Sequence, residues 1–312
     1  MRSFKTFASA IALGAVLAAP ASAKELESIG ISVGLLGNPF FVATINGIED
    51  AAKKINPDVK VTSVSADYDL NKQSGQIDSF IAAGVDIIML NAVDAEAIAP
   101  AVKRARDAGV IVAAFDVSAP GADVTVMTDN LKAGDKACEY IAEKLGGKGN
   151  VLIVNGPQSS SIRDRAQGCR DAFARHPELV LLSDDQNGQG SREGGLAVGQ
   201  ALLARFDHID GVFAINDPTG IGFALAAKQA NRNEFIITGV DGAPDTEVAL
   251  QDADNLFKAS ASQDPYTMAG QSLDLAYQVL QGNPPAEPVV LLEPALITNE
   301  NIADYKGWTA PR

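Results

Sequence analysis

Short apolar segments alternate with amphipathic segments along most of the chain. Residues 85–90 are almost continuously apolar, interrupted only by Asp86, as in a strand that is buried on both faces. Just after the first apolar segment, apolar side chains recur at spacings of three and four, which predicts a helix with one buried face: Phe41, Ile45, Ile48, Ala52 and Ile55. Strands that alternate with helices at this spacing predict parallel sheets covered by helices on both faces.

The pattern places strands at 29–36, 59–64, 85–90, 110–115, 124–128, 151–154, 179–182, 211–215 and 235–240. Further helices are predicted at 70–83, 95–108, 131–145, 162–175, 192–204 and 218–230. Near the C-terminus, Asp264 can cap a helix that has Pro265 at its first position and ends at Gly282.

The chain carries an internal symmetry. Asn91 and Asn216 each follow an apolar strand, and Asp116 and Asp241 each follow the next strand, so both pairs are offset by 125 residues. Two similar α/β lobes are the simplest explanation of this repetition, and chance agreement of the offsets is the alternative. We expect crossovers between them near residues 129, 263 and 291, which divides the chain into one lobe of 24–128 plus 264–291 and another of 129–263 plus 292–312.

The first 23 residues have the pattern of a secretory signal peptide. Arg2 and Lys5 provide a positive start, residues 8–19 are apolar, and Ala21-Ser22-Ala23 is a cleavage site of the A-x-A type. The alternative is a buried N-terminal helix. The apolar segment is too short to span a bilayer, so we expect an exported protein.

Charge and composition exclude several classes of function. Lys plus Arg is 25 and Asp plus Glu is 39, and this net charge of −14 repels nucleic acid. With two His and two Cys, we expect no metal site and no cofactor. Export and an even cysteine count predict a Cys138–Cys169 disulfide, with two buried free thiols as the alternative.

Polar side chains follow the predicted strands, where ligands bind to open parallel sheets. They could bind hydroxyl groups, and two Phe rings nearby could pack against C–H groups. The strand-end residues could instead form turns or cap helices. Asp116 and Asp241 could also be the acid and base of an enzyme, although no complete catalytic motif accompanies them. The set is Asn38, Phe40, Phe41, Asn91, Asp116, Arg163, Arg165, Asn216 and Asp241.

These residues resemble the periplasmic sugar-binding proteins of the ribose-binding type. The resemblance covers the mature chain in order: Gly37-Asn38-Pro39-Phe40-Phe41, Asn91, Phe115-Asp116, Asp129-Asn130, Arg163-Asp164-Arg165, Asn216-Asp217, residues 240–245 and Gln263. It implies two Rossmann-like lobes joined by a multi-crossover hinge, no enzymatic activity, and delivery of a sugar to an ABC permease in the periplasm. It also implies ligand contacts from the set above, with Gln263 added, and we expect a monomer.

The chain departs from this family at three pocket positions. Val117 stands where the family has Arg, Gly34 stands where it has Ser, and an aromatic side chain is missing near Gly190, with Asn187 the nearest polar residue. We therefore expect another pentose, a 6-deoxyhexose or a sugar alcohol rather than ribose. The alternatives are a receptor for chemotaxis or a sensor kinase, and an exported carbohydrate-active enzyme.

Overall fold

The structure, a computed structural model, describes residues 24–157 and 159–310. The predicted signal peptide, residues 1–23, lies outside the described residues. Within the described ranges, no helix combines the length and the apolar character that a membrane span requires.

Strands and helices alternate as the sequence pattern predicts. The strands are β1 (Ser28–Val33), β2 (Lys60–Ser65), β3 (Ile87–Leu90), β4 (Ile111–Phe115), β5 (Val124–Thr128), β6 (Lys148–Val154), β7 (Glu178–Ser183), β8 (Gly211–Ala214), β9 (Ile236–Asp241), β10 (Phe257–Ser262), β11 (Val289–Leu292) and β12 (Ala295–Thr298). The helices are α1 (Pro39–Ile55), α2 (Leu70–Ala83), α3 (Ala99–Asp107), α4 (Asn130–Lys144), α5 (Ser160–Ala174), α6 (Arg192–Arg205), α7 (Asp217–Ala230), α8 (Pro244–Gln251) and α9 (Pro265–Leu280), followed by a short 3-10 helix, Ile302–Asp304.

The strands form two six-stranded sheets with equivalent strand orders. The first has the order β11-β5-β4-β3-β1-β2 and the second the order β12-β10-β9-β8-β6-β7. All pairings are parallel except that of β10 with β12. The two α/β lobes expected from the 125-residue offset are therefore confirmed.

Three connections join the two sheets. The chain passes from β5 to α4, from β10 to α9, and from β11 to β12. At the third connection Leu292 is the last residue of β11 and pairs with Thr128 in the first sheet. At the second, the Asp264 carboxylate accepts a hydrogen bond from the Thr267 N–H and Pro265 begins α9, as predicted.

Each sheet has a hydrophobic core on both faces. In the first lobe one core includes Ile31 and Phe115, and the other includes Ile88 and Val112. In the second lobe the corresponding cores include Ile153 and Phe213 on one face and Leu152 on the other. Burial on both faces explains why the central strands are almost continuously apolar.

Helices α4 and α5 are held together closely. The predicted disulfide between Cys138 and Cys169 is confirmed, with a Cα–Cα distance of 5.1 Å. Two glycines allow the backbones to approach: a Cβ on Gly134 would lie 1.9 Å from the Arg165 carbonyl oxygen, and one on Gly168 would lie 2.0 Å from that of Leu131. This contact sets the position of α5, which carries Arg165 toward the second sheet.

Several element boundaries differ from the sequence prediction, and the end of β1 and the start of α3 show why. Strand β1 ends at Val33 rather than residue 36, because the Asn38 N–H donates to the Leu35 carbonyl and turns the chain into α1. Helix α3 begins at Ala99 rather than residue 95. The Asp94 carboxylate accepts the N–H groups of the two residues at 96 and 97, which forms a separate turn before the helix.

Candidate functional site

A buried ion pair lies at the carboxyl end of the second sheet. Asp241 ends β9, and its Oδ1 accepts hydrogen bonds from Arg165 Nη1 at 3.0 Å and from Gln263 Nε2 at 2.7 Å. The Arg165 side chain is only 5% exposed. It also donates to the Ile215 carbonyl at 3.0 Å and, through Nε, to Asn130 Oδ1 at 2.8 Å. The structure thus brings together three of the predicted site residues.

Gln263 connects this ion pair to the first sheet. Its Oε1 accepts a hydrogen bond from the Thr128 hydroxyl at 2.9 Å, and Thr128 is the last residue of β5. Since Gln263 itself follows β10, its side chain bridges two of the connections between the lobes. The same amide therefore contacts both the candidate site and the hinge.

A second cluster lies at the carboxyl end of the first sheet. Asn91 is buried, and its Nδ2 donates to Asp116 Oδ2 at 2.9 Å. The Gln73 side chain holds the Asn91 carbonyl at 2.9 Å. Burial raises the pKa of Asp116 to about 6, opposed by the positive charge of Arg165 and reinforced by Asp241. The charges of the two lobes therefore interact, as expected if the clusters face a common cleft.

The two Asp residues both have a positive φ angle. Asp116 has φ 65° and Asp241 has φ 135°, at positions that the sequence symmetry relates. A non-glycine residue at positive φ costs on the order of 1–3 kcal/mol and persists where surrounding contacts enforce it, often at functional sites. The strain therefore marks the same two residues that the sequence pattern singled out.

Asp217 enforces the turn that follows Asp241. It is fully buried, and its carboxylate accepts the Ala243 N–H at 2.9 Å and the Ser260 hydroxyl at 2.7 Å. That hydroxyl accepts the Gly242 N–H at 3.0 Å. Burial and the nearby charge of Asp241 raise the pKa of Asp217. The sequence pattern did not identify Asp217 as a support for the site, although Asp217 directly follows the predicted site residue Asn216.

The alternative that Asp241 caps helix α8 is wrong. Ala243 is the N-cap residue, and no side chain caps this helix. Asp241 is instead committed to Arg165 and Gln263. It is therefore a paired, buried carboxylate.

Two other strand-end residues do cap helices. Asn38 Oδ1 accepts the Phe40 N–H at 2.9 Å at the start of α1. Asn216 Oδ1 accepts the Thr219 N–H at 3.1 Å at the start of α7, and its Nδ2 donates to the Gly190 carbonyl at 3.0 Å. Both side chains are only partly buried, and a role in ligand binding stays a prediction for each.

The two predicted aromatic contacts are mostly packed into the first lobe. Phe40 is 8% exposed and Phe41 is 5% exposed. Phe40 meets Trp308 edge to face, with ring centroids 5.4 Å apart, and the indole N–H of Trp308 donates to the Gln263 carbonyl. Only a small part of either Phe ring is left to contact a ligand, and Trp308 is a neighbour that sequence analysis missed.

Arg163 differs from Arg165 in its surroundings. Residues two apart on a helix lie on nearly opposite sides, and Arg163 is exposed on α5 while Arg165 is buried. The structure therefore does not place the two Arg side chains in one cluster. Asn130, whose Oδ1 accepts a hydrogen bond from Arg165, belongs to the Asp129-Asn130 motif but was not predicted as a site residue.

Comparison with known proteins identifies the family. The chain is 34% identical over 262 residues to the ribose import binding protein of Bacillus subtilis, covering 83% of each chain. It is 29% identical to the xylitol-binding protein of Mycolicibacterium smegmatis, covering 90% of this chain and 80% of that one.

Among solved structures, an ABC transporter periplasmic solute binding protein from Actinobacillus succinogenes with bound D-allose superposes with a TM-score of 0.82. It is 25% identical, and the match covers 89% of this chain and all of that one. These relatives are substrate-binding transport proteins rather than enzymes. The model of the periplasmic binding protein domain matches residues 29–284, and the chain belongs to this family.

Proposed function

We propose that this protein is the periplasmic substrate-binding component of an ABC importer for a neutral monosaccharide or sugar alcohol. The observation that carries the proposal is the Asp241–Arg165–Gln263 network opposite the Asn91–Asp116 pair, at the carboxyl ends of two sheets. Carboxylate and amide groups from both lobes suit a ligand with many hydroxyl groups. The names of the relatives, a ribose import binding protein and a xylitol-binding protein, support the same ligand class.

The charge of the site favours a neutral ligand. Asp116 and Asp241 are two carboxylates in electrostatic contact with one guanidinium, that of Arg165. Val117, which follows Asp116, is a buried apolar side chain and adds no positive charge. An anionic ligand such as a sugar acid or sugar phosphate would be repelled by the excess carboxylate, whereas hydroxyl groups can donate to it.

Binding should close the cleft. We infer that residues 24–128 with 264–291 and residues 129–263 with 292–312 move as two bodies about the three connections. A ligand that contacts both bodies binds the closed arrangement better, so it shifts the population toward closure. Small-angle X-ray scattering should give a smaller radius of gyration with ligand; an unchanged radius at saturation would count against closure.

The oligomeric state, the cellular compartment and the membrane partner of the protein complete the proposal. We infer that the protein is a monomer in the periplasm. Binding proteins of this family work with ABC transporter permeases, and we propose that this one presents its ligand to the membrane subunits of such a permease. Analytical ultracentrifugation of the mature chain tests whether it is a monomer. Fractionation of the native host tests whether the protein is located in the periplasm.

A thermal-shift screen tests the binding function directly. We would compare ribose, xylose, arabinose, fucose, allose, myo-inositol and xylitol, with ribose 5-phosphate and a sugar acid as anionic controls. A ligand at about 100 times its dissociation constant stabilises the folded protein by about 2.7 kcal/mol, which gives a clear shift. Stabilisation by anionic ligands alone would contradict the neutral class, and stabilisation by none would contradict the binding function.

A further inference from the structure

Tyr68 occupies a strained position at the carboxyl edge of the first sheet. It lies in the loop between β2 and α2, where Asp67 has φ 51° and Tyr68 has φ 56°. Left-handed backbone is unusual for a bulky residue, and two in succession need strong local support. That support comes from the Tyr68 N–H, which donates to the Gly34 carbonyl at 3.3 Å, and from Ser65 and Lys72, which bind the Asp67 carboxylate.

The Tyr68 ring packs directly over Gly34. A Cβ on Gly34 would lie 2.6 Å from the ring carbon Cε1, closer than real Cβ contacts. Since φ at Gly34 is not positive, its backbone would tolerate alanine. The absence of a side chain at position 34 is therefore what allows the ring to lie where it does.

Tyr68 lies beside the candidate site, because its backbone N–H and its ring both contact Gly34, directly after the end of β1. Partial burial, together with the negative charge of Asp116, raises the pKa of Tyr68, and the Asn38 side chain opposes this rise. The rest of the side chain stays open: Tyr68 is 61% exposed and is the most exposed aromatic residue in the described ranges. One side of the ring covers Gly34, and the outer part of the residue is left to solvent beside the cleft.

We propose that Tyr68 is a ligand-binding residue and that Gly34 is the glycine that positions it. Its ring provides an apolar face for the C–H groups of a sugar or polyol, and its hydroxyl can donate to or accept from a ligand hydroxyl. Phe40 and Phe41 are mostly packed into the core, so Tyr68 offers the larger open aromatic surface. This inference rests on the proposed binding function and adds a specific contact to it.

Affinity measurements on three variants test the contact. Calorimetric titration would use whichever neutral sugar or polyol in the thermal-shift panel stabilises the wild type most. Tyr68→Phe removes one hydrogen bond and should weaken binding about three- to tenfold. Tyr68→Ala also removes the ring and should weaken it by about ten- to a hundredfold. Tyr277→Phe, which removes a hydroxyl near the far end of α9, serves as the control and should bind like the wild type.

A double-mutant cycle separates the proposed pair from a general structural effect. Gly34→Ala alone should weaken binding because the new Cβ displaces the ring. In the Tyr68→Ala background the same substitution should have no further effect, since the ring is gone and the space is free. Urea denaturation of every variant would identify those that fail to fold, and Tyr68→Phe keeps the test valid if another does.

The outcomes distinguish this inference from the proposed function. If the wild type binds a sugar or polyol and both Tyr68 variants bind as tightly as Tyr277→Phe, Tyr68 is not a contact and the binding function stands. Additive effects of Gly34→Ala and Tyr68→Ala would overturn the role of Gly34. If no member of the panel binds the wild type, both proposals are wrong.

Discussion

Replacement of Asp241 by alanine should lower both the stability and the affinity of this protein. The substitution removes the carboxylate that lies 3.0 Å from Arg165 Nη1 and 2.7 Å from Gln263 Nε2. The Arg165 side chain is 5% exposed, so water cannot replace the lost partner. The buried guanidinium then loses the carboxylate with which it is directly paired.

The structure sets the size of the stability loss. Breaking a buried ion pair by removing one partner costs about 3–5 kcal/mol. Arg165 keeps its hydrogen bonds to Asn130 and to the Ile215 carbonyl, which places the expected loss near the lower end, about 3 kcal/mol. This exceeds the loss expected for an unpaired side chain in an open cleft.

The affinity loss follows from the hydrogen bonds that a carboxylate accepts from ligand hydroxyls. Each bond to a charged group contributes about 1.5–3 kcal/mol net, so one lost bond weakens binding by roughly ten- to a few-hundred-fold. Asp241→Asn is the matched control because it keeps the shape and one acceptor oxygen but removes the charge. It should lose less stability than the alanine variant.

Urea denaturation and calorimetric titration on the same preparations measure the two effects. The titration would use the sugar or polyol that stabilises the wild type most. A wild-type urea midpoint for Asp241→Ala would refute the reasoning about the buried pair. Wild-type affinity in a correctly folded Asp241→Ala variant would refute the ligand contact.

Three further predictions follow from the geometry. Because burial raises the pKa of Asp116 to about 6, its contribution to stability should be complete below about pH 4 and decline as the pH rises through 6, while sugar affinity should fall from pH 7 to pH 5. Urea denaturation and calorimetric titration across this range should show both trends relative to the Asp116→Asn variant. Parallel pH profiles of the two proteins would contradict both expectations. Gly134→Ala should displace Arg165, because the new Cβ would lie 1.9 Å from the Arg165 carbonyl oxygen, and should weaken sugar binding in calorimetry. Gly75→Ala in α2 is the control and should not weaken it, because a Cβ on Gly75 would have no atom within 4 Å. Equal affinities of the two variants would refute this reasoning. Serine substitution of both cysteines should lower the free energy of unfolding by about 3–4 kcal/mol, because the disulfide closes a loop with a sequence separation of 31. Two titratable thiols in the denatured, unreduced wild type would contradict the disulfide.

Local patterns in the sequence were enough to predict the alternation of strands and helices as far as β9, but they did not predict α8, β10, β11 or β12. A strand buried on both faces must be apolar along its length, and a helix with one buried face must have apolar residues every three to four positions. Both patterns can therefore be recognised from residues that are close in sequence. The same reasoning placed Asp116 and Asp241 at equivalent strand ends, and the cysteine count predicted the disulfide. Boundaries such as the end of β1 were less accurate because hydrogen bonds in the following turn, rather than hydrophobicity, decide them.

The partners of the site residues were decided by the tertiary structure. Arg165 reaches Asp241 across 76 residues of sequence because α5 is held against α4, and no local pattern encodes that distance. The sequence pattern left open whether a strand-end side chain caps a helix or contacts a ligand. The structure assigns Asn38 as a cap and leaves Asp241 to its ion pair, because hydrogen-bond partners and burial depend on how distant segments pack.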